Sequence, residues 1–370
     1  MYKNGDISEA NKSPYIIHYN GKKKPWNSIG LYMEKYWWEM AKKTPFINNL
    51  FDREIIYKNE LIKFWNQKKK RKLELERPRS FGEKIQWLKL YDSTPIKTRL
   101  SDKYLVRGWI IDKIGTKYLI PLLGVYDNFD EINFEKLPNK FVIKCNHGRR
   151  YNIIVQNKNK LNLTITKSRI EKWISINYAF KNGLELQYRD IRPKILIEKY
   201  IEDNKGHLKD YKFMCFNGKP YFIYLDYQNK LEHKRNLYDL HWNQLPYEIN
   251  SHLSTFHLTE KPKYLKKMIE LASILSKDFL YVRVDLYATK EKIYFGGMTF
   301  TSSSGIDDIK PKNFERKLSL LLNIPKLAYN VDTGDYYKTI KISALYISSK
   351  LLFFCLISLK FVIIYRNQPV

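Results

Sequence analysis

"YVRVDLYATKEKIYFGGMTF", residues 281–300, reads as a β-hairpin. Two runs of alternating β-branched and aromatic residues flank a polar stretch centred near Lys290. Alternation puts Arg283, Asp285 and Tyr287 on one face of the first strand. A charged row in an otherwise apolar strand makes a poor core face, so a functional site is expected there. With the turn at Lys290, Asp285 faces Phe295 and position 297 is its diagonal neighbour. Diagonal cross-strand positions lie about 7–8 Å apart, within reach of a shared cation. Position 297 is nevertheless a glycine.

The surrounding chain sets broad limits. Its 370 residues are 44% hydrophobic, enough for a sizeable core. The 66 Lys and Arg outweigh 38 Asp and Glu, giving a net charge of +28. That balance favours anionic partners, although a solvated basic surface needs none. Aromatics make up 15% but fall on helix and strand faces, not in an exposed stacking motif, which argues against nucleic acid. Cys145, Cys215 and Cys355 lie far apart with no C-x-x-C pair. A disulfide framework or thiolate metal site is not expected, and a reducing cytoplasm fits. The N-terminus shows no apolar signal-peptide core. Residues 342–365 are apolar but interrupted by Lys350 and Lys360. A membrane or interfacial segment and a buried tail both stay open there.

The pattern along the chain mixes helices with hairpins, an α+β class with mixed and antiparallel sheets. Residues 52–77 form a helix or linker carrying the basic run Lys68, Lys69, Lys70, Arg71 and Lys72. Ser80 and Glu83 make a capping box that opens a helix ending near Tyr91. Further helices are predicted over Asp102–Lys113, ending at Gly115, over Lys167–Ala179, over Lys261–Lys277 and from Asn313. "LIPLLGVY", "KFVIKCN", "NIIVQ" and "ILIEKYI" read as strands. "YKFMCFNGKPYFIYLDY" reads as a hairpin turning at Asn217-Gly218.

The stretches "SFGEKIQWLKLYD", "SDKYLVRGWI", "IPLLGVYDNFDEINFEKLPNKFVIKCNHG", "DYKFMCFNGKP", "KRNLYDLHWN" and "FLYVRVDLY…KIYFGG" together resemble the TupA-like, teichuronopeptide-biosynthesis branch of the ATP-grasp superfamily. The resemblance spans residues 77–326 and implies a nucleotide cleft between subdomains. It implies Mg-ATP chemistry that activates a carboxylate as an acyl phosphate, and a role in cell-surface polysaccharide (capsule or teichuronic-type) biosynthesis. By that resemblance Lys144 and Lys212 reach the phosphates, and His147 and Gly148 open the loop that covers them. Glu198 frames adenine and ribose. Arg283 meets phosphate, and Asp285 is the first magnesium carboxylate. Two departures weaken the site. The motif Phe-Gly-Glu-Leu-Thr-Phe appears as Phe295-Gly296-Gly297-Met298-Thr299-Phe300, without its glutamate. Arg149 and Arg150 replace the small residues of the phosphate loop. Asp307 and Asp308 come too late in the chain to join the hairpin.

Upstream, His18, Gly21, Lys24, Pro25 and Trp26 resemble the C-terminal end of family 8 glycosyltransferases, whose His binds manganese and whose Lys meets the diphosphate. The D-x-D metal motif of such enzymes occurs nowhere in the sequence, so residues 1–50 read as a remnant. The domain reading is this remnant, a basic helical linker over 51–76, the ATP-grasp unit over 77–326 and a tail over 327–370. Carboxylate–amine ligase-like, glycosyltransferase-like and non-catalytic anion-binding roles all stay open. The expected partners are a nucleotide and an acidic or membrane-linked glycan acceptor. The expected place is the cytoplasm, with the inner face of the plasma membrane within reach of the basic face or tail.

Overall fold

A computed structural model describes residues 53–202, 208–228, 233–249, 260–325, 327–330 and 335–338. The His18 motif, the 1–50 remnant and the apolar stretch 342–365 lie outside the described residues. The chain divides into a unit ending at Asn323 and a second one beginning at Ile324.

Helix α1, Arg53–Lys69, does not behave as a bare linker. Tyr57, Leu61 and Trp65 recur at every fourth residue and are buried, the last two completely. Lys68, Lys70, Arg71 and Lys72 are exposed, as a solvated basic face requires. Lys69 instead donates to the Asp307 carbonyl at 2.7 Å. Leu73 and Leu75 then continue the buried run toward helix α2, Phe81–Tyr91.

The capping box forms as read: the Ser80 hydroxyl accepts from the Glu83 amide, and the Glu83 carboxylate accepts from the Ser80 amide at 2.9 Å. Helix α2 is buried almost all round, even at Lys89. Its ammonium donates to the carbonyls of Gly183 and Ser304, each at 2.7 Å, and to the Ser304 hydroxyl at 2.6 Å. Burial pulls Lys89 down to about 7.

The helix expected over Asp102–Lys113 begins later, as α4 over Val106–Ile114, and a separate helix, α3, covers Pro95–Ser101 before it. Asp102 breaks the run because its carboxylate accepts from the amides of Tyr104 and Leu105, at 2.7 and 3.1 Å. The helix expected from Lys167 begins earlier. Asn162 caps α5, Leu163–Ile174, by accepting from the Ile165 amide at 2.9 Å.

Two antiparallel sheets position the site. The smaller has the order β1-β4-β2-β3, with β1 Leu122–Tyr126, β2 Phe141–Cys145, β3 Asn152–Val155 and β4 Ile195–Lys199. Phe141, Ile143, Cys145, Ile195 and Ile197 form its core with Tyr151, Ile170 and Tyr178. The larger sheet has the order β11-β10-β5-β6-β7-β8. Its strands are β5 Lys209–Phe216, β6 Lys219–Gln228, β7 His233–Tyr238, β8 Gln244–Leu245, β10 Tyr281–Ala288 and β11 Ile293–Thr299. Strand β9, Glu248–Ile249, pairs with β12, Ile309–Lys310. Helix α6, Leu265–Ser276, covers the apolar face of the larger sheet through Leu265, Met268, Leu271 and Leu275. Helix α7 is Lys312–Leu321. In the second unit, β13, Leu327–Asn330, pairs with β14, Asp335–Lys338.

The β5–β6 turn shows why its sequence was decisive. Asn217 and Gly218 both take positive φ, 46° and 80°, as a two-residue turn that follows strand twist requires. Cys145 and Cys215 are free and buried.

Trp65→Ala is expected to cost about 3–5 kcal/mol, the range for removing a fully buried aromatic. A chain beginning at Glu76 loses the same packing and is expected to melt less cooperatively in urea. An unchanged urea midpoint in either protein would show that α1 is peripheral.

Candidate functional site

The opening hairpin forms, but its register differs from the one read. Asp285 pairs with Gly297 and Leu286 with Phe295, so a bulge accommodates Gly296. Gly297 therefore lies directly opposite Asp285, not diagonally, because the extra residue advances β11 by one position. A Cβ built on Gly297 meets nothing within 4 Å.

Arg283, Asp285 and Tyr287 share one face as expected, each only partly buried between fully buried neighbours. Arg283 holds Asp285 through two hydrogen bonds of 2.7 Å and also reaches the Thr299 hydroxyl at 3.2 Å. On the other side of β10, Lys212 of β5 pairs with Asp285 and Asp210 pairs with Tyr287. Lys212 is buried, with its ammonium between the carboxylates of Asp210 and Asp226, the latter at 3.1 Å. Tyr211 and Lys212, on opposite faces of β5, are both buried, so both faces of the sheet are covered here. Asp226 in turn is held by Arg235 at 2.6 and 3.0 Å. Burial works to raise Asp226, yet Arg235 and Lys212 hold it well below the usual carboxylate range.

Asp210 is differently placed. Its Oδ2 receives Lys212, while its Oδ1 is shut off from water with no hydrogen-bond partner. Burial raises its carboxyl to about 6; Lys212 pulls it down, and repulsion from Asp285 pushes it up again. Sequence reading passed over Asp210, Asp226 and Arg235. Asp210 was visible two residues before Lys212, on the same strand face, and period-two counting would have found it.

The smaller sheet supplies Lys144 and Glu198. The Lys144 ammonium meets Glu198 Oε2 at 2.5 Å, and Arg107 approaches Oε1 at 3.4 Å. Glu198 is 6% exposed and is not a surface glutamate. Burial raises the Tyr287 hydroxyl well above the usual range, and the charges of Asp210, Asp285 and Glu198 raise it further.

His147 and Gly148 are buried, in a turn packed into the core. His147 Nε2 lies 2.9 Å from the Trp173 carbonyl, and a Cβ on Gly148 would meet the rings of Tyr178 and Tyr151 at 2.6 and 2.8 Å. Aromatic side chains fill the space around these two residues, so the turn where the expected phosphate loop begins is packed. Arg149 turns to Glu185 at 3.0 Å. Burial opposes its charge, but Glu185 keeps it above the usual range. Arg150 is exposed with a φ of 61°. Lys103 also escaped notice. Its ammonium donates to the carbonyls of Cys145 at 3.1 Å and of Gly148, pinning the turn, and burial pulls it down to about 8.

The profile of the TupA-like ATPgrasp family matches residues 83–322. The chain belongs to that family. No curated protein matches it. Solved structures similar to this TupA-like chain include D-alanine–D-alanine ligase from Bacillus anthracis complexed with ATP. That pair shares 17% identity over 54% of this chain and 55% of the other, with a TM-score of 0.32. A second structure of the Bacillus anthracis ligase matches at 17% identity over 66% and 69%, with a TM-score of 0.35. The Helicobacter pylori ligase matches at 14% identity over 67% and 68%, with a TM-score of 0.34. The matched region spans just over half the length of the first of these.

ATP-grasp folds imply ATP and magnesium, and the donor set can be tested against both. Lys144 on the smaller sheet and Lys212 and Arg283 on the larger are bases that phosphate oxygens suit. Magnesium requires oxygen donors, and the β10–β11 hairpin offers Asp285 alone. The unpartnered Oδ1 of Asp210 is a second oxygen on the same face. The residues therefore fit both groups. Among the described residues no group of three or more His, Cys, Asp and Glu side chains is placed to hold a metal by itself.

Lys212→Met is expected to cost about 3–5 kcal/mol, because it leaves Asp210 and Asp226 buried without their shared base. Adding Asp210→Asn should recover part of that loss. Purely additive effects in a urea double-mutant cycle would show that the two do not interact.

Proposed function

We propose that this protein binds Mg-ATP at the border of its two sheets and serves cell-surface polysaccharide assembly, of the capsule or teichuronic type. The observation that carries the reading is the charged face of the larger sheet, where Lys212 and Arg283 stand on adjacent strands beside Asp210 and Asp285. Lys144, Lys212 and Arg283 would take the phosphates, Glu198 the nucleoside end and Asp285 the cation. His147 and Gly148 would shape the turn beside the phosphates from behind, and Arg149 and Arg150 would limit how closely its backbone approaches them. Bound magnesium would offset phosphate charge during transfer to a carboxylate. The family name supports the polysaccharide role, with an acidic or membrane-linked glycan as acceptor. No helix among the described residues is long and apolar enough to cross a membrane. A basic protein at the inner face of the plasma membrane accords with the net charge of +28. The resemblance of residues 14–48 to a family 8 glycosyltransferase end supports the same setting and a glycosyltransferase-like alternative. The glycine at 297 favours a second reading, a nucleotide-binding protein with impaired turnover.

Titration calorimetry with ATP tests the proposal. The wild-type protein should bind ATP, and Lys144→Ala should weaken binding by about 1.5–3 kcal/mol, the worth of a charge-assisted hydrogen bond. Absence of ATP binding by the folded wild-type protein would overturn the proposal.

A further inference from the structure

The hairpin offers magnesium one carboxylate where two are wanted, and the other neighbour of β10 carries a candidate for the second. Asp285 pairs across β10–β5 with Lys212, and Asp210 stands two residues away on the same strand. Asp210 and Asp285 are therefore diagonal neighbours on one sheet face, about 7–8 Å apart at Cα, a span two carboxylates close around one cation. The Oδ1 atom of Asp210 is out of contact with water and has no hydrogen-bond partner. A buried acceptor left unpaired is costly, which marks a place where a ligand belongs. Asp226, the carboxylate that pairs with Asp210 across β5–β6, is engaged on both oxygens by Arg235 at 2.6 and 3.0 Å and by Lys212 at 3.1 Å.

We propose that Asp210 supplies the second carboxylate of the magnesium site, from β5 in place of β11. The inference rests on the reading that ATP binds this face. Without nucleotide, Arg283 holds Asp285 and Lys212 holds Asp210. ATP recruits those same two bases to its phosphates. Asp285 and Asp210 are then left facing each other with less compensation, and a divalent cation between them restores the balance. Nucleotide and cation thus favour each other's binding, and the coupling is reciprocal.

The test is titration calorimetry of ATP, once with magnesium and once with EDTA. The readout is the ratio of the two Kd values, which does not depend on turnover. In the wild-type protein magnesium should tighten ATP binding by about 5- to 150-fold, the usual range of coupling between ligands. Asp210→Asn should still bind ATP in EDTA but lose most of that gain. Asp210→Asn with Gly297→Glu should recover it, since position 297 lies directly opposite Asp285 and has room for a side chain. Asp130→Asn, a change to an exposed carboxylate paired with Lys167, should match wild type. Gly297→Glu alone leaves Asp210 in place, tests the idea even if Asp210→Asn does not fold, and should alter the ratio less than about threefold. Several outcomes overturn the inference while leaving ATP binding intact: a full magnesium gain in Asp210→Asn, no gain in wild type, no recovery in the double variant, loss of the gain in Asp130→Asn, or a large increase from Gly297→Glu alone. Absence of any ATP binding in wild type overturns both this inference and the reading beneath it.

Discussion

Lys212 sits buried between Asp210 and Asp226, and the larger sheet depends on that arrangement. A charged group removed from water is stable only with a partner. On this face three bases, Lys212, Arg235 and Arg283, meet three acids, Asp210, Asp226 and Asp285. The set is neutral as a whole, which lets an apolar sheet carry it. Neutrality also fixes what the face can accept. A ligand of one sign alone would break pairs without replacing them, while an anion with its counter-cation exchanges partners and keeps the balance.

The surroundings make this face rigid. Glu185, fully buried, receives Arg149 at 3.0 Å and the Thr301 hydroxyl at 2.5 Å. Gln187 donates to the same Thr301 hydroxyl at 2.8 Å. The segment that follows β11 is thus fastened to the residues beside the smaller sheet. Lys89 adds a second fastening through Ser304 and Gly183. Buried polar ties of this kind hold geometry through the hydrogen bonds they make, although Gln187 Oε1 is buried without a partner.

Much of the fold was readable because its signals are local. The Ser80–Glu83 box, the Asn217-Gly218 turn and the alternation of β10 each lie within a few residues and decide their own geometry. The misreadings came from interactions that span the chain. Nothing near Leu61 and Trp65 says that their helix is packed into the core. The bulge at Gly296 shows only once both strands are paired. Asp102 looked like one more helical residue until its carboxylate took the amides of Tyr104 and Leu105. In the site, Arg283 and Asp285 declared themselves by alternation, but Asp226 and Arg235 acquire meaning only across three strands. Arg149 read only as a departure in the phosphate loop because its acid, Glu185, is 36 residues away in sequence.

The open space beside Gly297 bears on how the gene can change. No neighbouring atom lies within 4 Å of a Cβ placed there, and its backbone lies outside the left-handed region. The backbone thus accepts a side chain as readily as it does without one. Every glycine codon lies a single middle-base change from aspartate or glutamate. A carboxylate at this position is therefore gained or lost by one mutation that packing does not resist. What resists it is charge, because the new group would stand directly opposite Asp285.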